Sequence, residues 1–532
     1  MPSSITVKNL SWSTPDGHRL FSNLNLSFGP GKTGLIGRNG TGKSTLLNII
    51  AGRLKPSGGT VSHDGRIAMM QQLAQIPAGR TLADIFGIKD ALACLSRIEA
   101  GHPAPEDLAL ADWTLEARLE AAFAEAGLAG VAPDNPLLEL SGGEKTRALL
   151  AALLFKEPDI ILLDEPTNDL DAEGRAAVYR TLDRWPGTAI VVSHDRALLD
   201  RMDAIVELTG IGARTYGGNW SDYHARKVVE LEAAEHQKDV AERKVRDIDA
   251  KVQLRLERQQ KRDSAGRRMR ARRDQPKLLL DSKKARAQKT GGAGARLADR
   301  QREAAARQAA RARAEIEILQ PLSMVLGTTG LPTRRTVVEA TGLTGSGNPL
   351  TPIIRNLSLT LVGPERVAVT GPNGSGKTTL FKLLSGELRP QSGTVRINGR
   401  FAILDQHMSL LDPALSIHDN FRKLNPDADE NGCRAALARF MFRADAAMQP
   451  VGTLSGGEVL LAGLAVVLGG PKPPDLLMLD EPTNHLDLSA IQALEAALQA
   501  YDGALLVISH DAVFLENIGI HRTITLETPD TG

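Results

Sequence analysis

Gly37-Arg-Asn-Gly-Thr-Gly-Lys43-Ser44 follows a strand-like run, Thr33 to Ile36, and leads into a helical pattern from Ser44 to Ala51. The eight residues fit G-x-x-x-x-G-K-[ST], in which glycines let backbone N–H groups curl around phosphate oxygens. In that pattern Lys43 reaches the β- and γ-phosphates of a nucleotide, and Ser44 offers its hydroxyl to Mg²⁺. One match is moderately specific. Gly371-Pro-Asn-Gly-Ser-Gly-Lys377-Thr378 repeats it 334 residues later.

The two copies agree well beyond this loop. Gln72 sits 35 residues after Gly37, and Gln406 sits 35 after Gly371. Leu140-Ser-Gly-Gly-Glu144 recurs as Leu454-Ser-Gly-Gly-Glu458. Ile160-Ile-Leu-Leu-Asp164-Glu165-Pro-Thr-Asn recurs as Leu476-Leu-Met-Leu-Asp480-Glu481-Pro-Thr-Asn, and His194 and His510 each lie 30 residues beyond the aspartate. Five motifs repeated in one order mean an internal duplication. The expected class is α/β, with repeated bodies at 1–222 and 336–532 and a charged segment at 223–335 between them.

These residues resemble the ATP-binding-cassette ATPases, in the order Walker A, Q-loop, LSGGE signature, Walker B with its glutamate, D-loop and switch histidine. Two cassettes on one chain joined by a charged linker look like the ABC-F family. Members with known roles are mainly ribosome-binding translation factors and antibiotic ribosome-protection proteins. Tyr216-Gly-Gly-Asn-Trp-Ser-Asp-Tyr223 is similar to that family's linker entrance. The resemblance implies two P-loop ATP-binding-cassette domains joined by a long α-helical hairpin, with ATP and Mg²⁺ as cofactors.

By the same resemblance, ATP is bound by Gly37, Arg38, Asn39, Gly40, Thr41, Gly42, Lys43, Ser44 and Thr45. In the second copy the binders are Gly371, Pro372, Asn373, Gly374, Ser375, Gly376, Lys377, Thr378 and Thr379. Asp164 and Asp480, each at the carboxyl end of an apolar strand, would hold Mg²⁺ with Ser44, Gln72, Thr378 and Gln406. Glu165 and Glu481 would polarise the attacking water, with His194 and His510 on the γ-phosphate side. Ser141, Gly142 and Gly143, like Ser455, Gly456 and Gly457, open a helix whose N–H groups suit an anion. In the family the signature meets the opposite Walker A, so Lys43 would share a site with Ser455, and Lys377 with Ser141.

The linker carries the charge asymmetry. His224 to Arg313 holds 27 Lys/Arg and 13 Asp/Glu, a net of +14, against −13 for the remainder. No Pro or Gly occurs from Tyr223 to Arg262, and Val245, Ile248 and Val252 make a short helical seam. Gly266, Pro276 and Gly291 to Gly294 interrupt the pattern, and Arg296 to Leu319 resumes it, which reads as two antiparallel helices. No aromatic residue occurs between His224 and Gln320, so phosphates and folded RNA suit the segment better than stacked bases. The expected RNA contacts are Arg267, Arg268, Arg270, Arg272, Arg273, Lys277, Lys283 and Lys284. The ribosome, through ribosomal RNA and tRNA, is the partner implied.

Two cysteines, Cys94 and Cys433, supply neither a disulfide framework nor cluster ligands, which disfavours an ABC-E reading and suits a reducing cytoplasm. The longest apolar run, Leu460 to Leu468, is too short for a bilayer, so no membrane partner is expected, and the resemblance implies a monomer whose two cassettes pair within the chain. Two other classes remain open: the energiser of a membrane exporter, and a nucleic-acid-structure ATPase in repair or RNA processing. Three departures stand out. Lys145-Thr146-Arg147 after the first signature becomes Val459-Leu460-Leu461 after the second, removing positive charge from the site of Lys43. Trp12 is offered as an adenine-stacking or core residue, with no aromatic between Val337 and Val362 in the second copy. A helical insert is expected at about 83–127, because Gln72 to Leu140 spans 68 residues where Gln406 to Leu454 spans 48.

Overall fold

A computed structural model describes residues 3–70, 76–77, 79–210, 212–271, 304, 307, 326–346, 352–405, 408–484 and 486–527. The chain divides into two units, Met1–Ser221 with Pro321–Gly532, and Asp222–Gln320.

In the first unit, Ile160–Asp164 (IILLD) and Thr188–Val192 (TAIVV) are apolar without alternation and buried throughout. Strands covered on both faces have this composition. They lie in a six-stranded sheet ordered Ile67–Met69, Ile160–Asp164, Thr188–Val192, Lys32–Ile36, Ala204–Thr209 and Gly212–Gly217. All neighbours are parallel except the last pair. The second copy repeats the order with Phe401–Leu404, Leu476–Asp480, Ala504–Ile508, Arg366–Thr370 and Arg522–Thr525, all parallel. In both sheets the phosphate-loop strand lies beside the histidine strand, which lies beside the aspartate strand. Their carboxyl ends therefore open together on one edge, where ligands of such sheets bind.

Each cassette adds a three-stranded antiparallel sheet, Ile5–Ser13 between Arg19–Phe28 and Gly58–His63, and Thr336–Gly345 between Ile354–Val362 and Ser392–Ile397. Ile5, Val7, Phe28, Leu46 and Leu47 close the first core between that sheet and helix Lys43–Ile50. Val338, Leu343, Leu361, Leu380 and Leu384 do the same in the second.

The segment between Gln72 and Leu140 folds as helices Leu82–Phe86, Lys89–Glu99, Asp107–Leu110 and Leu115–Glu125. Thr81 and Asp84 cap the first reciprocally. Phe86 meets Phe123 and Phe155 edge-on at 5.3 and 5.4 Å. Phe86 and Phe123 are buried, a contribution of roughly 1.5–3 kcal/mol each, and with partly buried Phe155 they tie the insert to the signature helix Gly142–Phe155. The corresponding region of the second cassette has Ile417–Leu424 and Glu430–Arg439 among its described residues. The extra turns are held by Asp107, buried, which accepts from Arg97 at 2.9 and 2.6 Å and from the Ala104 N–H at 2.7 Å.

The linker opens with one helix, Trp220–Ala271, of 52 residues. At 1.5 Å per residue it extends about 78 Å. The sequence pattern stops the helix near Gly266; the structure carries it through. One glycine costs only about 1 kcal/mol relative to alanine, too little to end a helix of Lys, Arg, Glu, Gln and Ala. Arg267, Arg268 and Arg270 lie on this helix by their backbone. Their side chains, and those of Val245, Ile248 and Val252, lie outside the described residues, as do Arg272, Arg273, Lys277, Lys283 and Lys284. Of the expected return helix, Arg296 to Leu319, only Ala304 and Arg307 are described.

Candidate active sites

The phosphate loops have backbone geometry that only their sequence permits. Gly37 and Gly371 take φ 155° and 148°, and a Cβ on either would meet a carbonyl oxygen at 2.3 Å (Leu208) or 2.4 Å (Leu526). Gly42 and Gly376 are left-handed at φ 92° and 94° and start helices Lys43–Ile50 and Lys377–Ser385. Both lysines are buried. Lys43 Nζ donates to the carbonyls of Gly37 (2.6 Å) and Arg38 (3.2 Å), and Lys377 Nζ to those of Gly371 (2.8 Å) and Pro372 (3.1 Å). Ser375 Oγ is buried without a hydrogen-bond partner among the described residues.

Each aspartate strand delivers its two carboxylates to this loop. The Ser44 hydroxyl lies beside Asp164 and the Thr378 hydroxyl beside Asp480, each lowering that carboxyl against the effect of burial. Glu165 and Glu481 both take φ 47°, an unusual conformation for glutamate that places the carboxylate beside the histidine of the next strand. His194 Nε2 lies 3.2 Å from Glu165 Oε1, and His510 Nε2 lies 3.4 Å from Glu481 Oε1. Gln72 and Gln406 lie outside the described residues.

The cassettes complete each other's edges. The Asn39 N–H donates to Asp487 (2.9 Å), and the Asn373 N–H donates to Asp171 (3.3 Å). Asn373 Nδ2 also donates to the Asp169 carbonyl at 3.2 Å. A cavity of 480 Å³ opens at the second loop, walled by Asn373, Lys377, Thr378, Asp480, Glu481 and His510 and, from the first cassette, by Asp169 and Leu170. A Cβ on Gly142 of the first signature would sit 3.4 Å from Asn373 Nδ2. Ser141 and Ser455 cap their helices, paired with Glu144 and Glu458.

Residues 21–168 and 354–484 match the family described as "ABC transporter". The tylosin resistance ATP-binding protein TlrC of Streptomyces fradiae is 33% identical over 93% of this chain and 92% of its own length. The energy-dependent translational throttle protein EttA of Mycobacterium tuberculosis is 33% identical over 94% of this chain and 88% of its own. This chain belongs to the ABC-F family of ATP-binding-cassette ATPases. Among solved structures, the archaeal ribosome recycling factor aABCE1, in complex with the ribosomal stalk protein aP1, superposes with TM-score 0.58 at 19% identity over 97% of this chain and 87% of its own. At that identity it shows the shared fold. No described helix of this ABC-F ATPase is long and apolar enough to cross a membrane.

Burial dominates the electrostatics. It raises the Glu165 carboxyl to about 8 against the pull of Lys43, and the Glu481 carboxyl to about 7 against Lys377 and then Arg175. Burial, helped by Lys43, lowers the His194 imidazole to about 3; burial, then Lys377 and Arg175, lowers His510 to about 4. Both imidazoles are therefore neutral near pH 7. Burial also lowers both phosphate-loop lysines and raises Asp164 and Asp480.

Several site residues escaped the sequence reading. Asp171 and Asp487 carry the cross-cassette contacts; their signal was present in the repeated Asn-x-Leu-Asp after each glutamate. Arg147, expected to supply positive charge, is neutralised by Glu173 at 2.8 Å. The second cassette has Leu461, buried, and Ser489 at those positions, so a whole ion pair is replaced and Lys145 alone accounts for the net charge difference. Trp12 is half-buried against the first core, across from Phe21. Ile353 takes the aliphatic wall at the second cavity.

Proposed function

We propose that this ATPase hydrolyses Mg²⁺–ATP at two sites, each built from both cassettes, and uses the cycle to control attachment of its basic linker to the ribosome in the cytoplasm. The observation that carries the reading is the reciprocal contact of each Asn-x-Leu-Asp aspartate with the opposite phosphate loop.

Loop N–H groups and the helix N-terminus receive the phosphates, and each lysine exchanges its carbonyl partners for phosphate oxygens. Ser44 with Asp164, and Thr378 with Asp480 on the wall of the 480 Å³ cavity, are neighbouring hard oxygen donors, which suits Mg²⁺. Among the described residues no group of three His, Cys, Asp or Glu forms a rival site. When bound, Mg²⁺ supplies neutralisation of charge developing on the phosphates. In their ionised forms Glu165 and Glu481 orient water and accept its proton, and the neutral histidines lie beside the glutamates on the γ-phosphate side. Signature residues 141–143 and 455–457 close the sites of Lys377 and Lys43.

A ribosomal destination is supported by the likeness to EttA, a translational throttle protein, together with a +14 linker between two acidic cassettes. The chain works as a monomer, its cassettes pairing within one molecule. The test is sucrose-gradient sedimentation of the Glu165→Gln/Glu481→Gln chain with ATP. Co-migration with ribosomes that is lost without ATP supports the reading. Migration at the top of the gradient in both conditions, or flotation with membranes, overturns it.

A further inference from the structure

We infer that Arg175 is a positioning residue that ties the histidine loop of the first site to the wall of the second, a one-sided link between the two sites. Helix Ala172–Arg184 begins just after Asp171, and helix Leu488–Ala500 just after Asp487. Counting from those aspartates, Arg175 corresponds to Ile491 and Tyr179 to Glu495; after the histidines, Arg196 corresponds to Ala512. The motifs are duplicated, but these positions are not.

Arg175 faces two ways. Its Nε donates to the carbonyl of Leu170 at 3.2 Å, and Leu170 with Asp169 forms the first cassette's wall of the 480 Å³ cavity. Its Nη1 lies 3.8 Å from Asp195 Oδ2, which also accepts the Tyr179 hydroxyl at 2.6 Å. Asp195 is the residue after His194. Arg196, next in line, is buried and makes a bidentate pair with buried Glu495 of the other cassette, at 2.8 and 3.2 Å. Asn517 supports Glu495 at 3.1 Å. The loop after His194 is therefore fixed on both sides, to Arg175 and Tyr179 within its cassette and to Glu495 across the interface. The guanidinium's field also reaches Glu481 and His510.

The mirror path lacks the parts. Ile491 has no donor for the Leu486 carbonyl and is packed into the second core, and Ala512 carries no charge. A shift of the His194 loop would move Arg175 and, through Leu170, the wall facing Lys377. Among the described residues a shift at His510 has no such route back. A wall displaced by even about 1 Å can change turnover by an order of magnitude or more.

The inference rests on the two-site hydrolytic reading, and its test separates the two. Arg175→Met keeps the packed stem and removes both polar contacts. In a Glu165→Gln chain, where turnover comes from the second site, it should lower kcat roughly tenfold with KM for ATP within about twofold. In a Glu481→Gln chain, where turnover comes from the first site, the loss should be clearly smaller, because Tyr179 and the Arg196–Glu495 pair still hold the His194 loop. In the otherwise unsubstituted chain the Hill coefficient for ATP should fall towards 1, and Arg175→Lys should restore only part of it. Equal losses in both backgrounds would make Arg175 a general structural residue and overturn the link, as would no loss in either. Should both single-Gln chains be silent, the Hill coefficient decides, and an unchanged value overturns the link. Absence of ATP hydrolysis by the unsubstituted chain would instead overturn the proposed function.

Discussion

At the first phosphate loop, Asn39 takes the carboxylate of Asp487 from the other cassette; at the second, Asn373 takes that of Asp171. Beyond those aspartates the two sites part. Behind Asp171 stands Arg175, bonded to the cavity wall and facing Asp195; behind Asp487 stands Ile491, in the hydrophobic core. Chemistry fixes the phosphate loops, carboxylates and histidines, so both copies keep them. The surrounding helices only need to pack, so one copy has replaced ion pairs by apolar contacts. Removing both partners of a pair, as with Arg147 and Glu173, leaves no stranded charge, and such replacement is commonly close to neutral for stability.

The largest expected effect treats the sites alike. Lys43→Ala with Lys377→Ala removes the ammonium facing the phosphates from both, and ATP turnover should fall by roughly a hundredfold or more. Turnover near the unsubstituted rate would contradict the placement of both sites.

Single substitutions should then separate them. Glu481→Gln disables the site walled by Asp169 and Leu170 and served by Arg175, and should reduce turnover several-fold more than Glu165→Gln. Steady-state hydrolysis of the two chains side by side gives the comparison. A larger loss from Glu165→Gln would reverse the ranking of the sites.

A smaller effect concerns the linker, which has no duplicate. Changing Arg267, Arg268, Arg270, Arg272 and Arg273 to Gln keeps helix propensity while removing five charges. Ribosome pelleting should weaken and its salt dependence should flatten, while ATPase without ribosomes stays near the starting value. Unchanged pelleting across the salt series would leave the linker as a spacer.

The smallest effect lies in the helical segment between Gln72 and Leu140, which is longer than its counterpart in the second cassette. Arg97 holds the Asp107 carboxyl below its usual range, so this contribution is complete at neutral pH and is lost as pH falls below about 4. Arg97→Met should therefore lower Tm most near pH 7, with the gap closing on acidification. Calorimetry from pH 7 to 3 reads this directly, and a gap that widens in acid would contradict it.

Most of the fold was legible because duplicated motifs mark the same three strand ends twice. The apolar runs Ile160–Asp164 and Leu476–Asp480 mark strands that end at their aspartates, as the structure has them. The insert helices also lie close to their periodic patterns. What stayed hidden depended on contacts between distant residues. Nothing local tells that Arg196 pairs with Glu495, 299 residues away, or that Arg147 is neutralised by Glu173. The helix running through Gly266 was hidden for another reason, since one glycine reads locally as a breaker although the long favourable run around it outweighs its cost.

The central claim, that each site draws on both cassettes, is tested most directly by comparing two double variants in ATP hydrolysis. Lys43→Ala with Ser455→Ala places both changes in one site, whereas Lys43→Ala with Ser141→Ala places one in each. The account predicts that the first chain keeps the turnover of Lys43→Ala alone and that the second falls well below it. The reverse order, with Lys43→Ala/Ser141→Ala the more active chain, would show each site to be built within a single cassette.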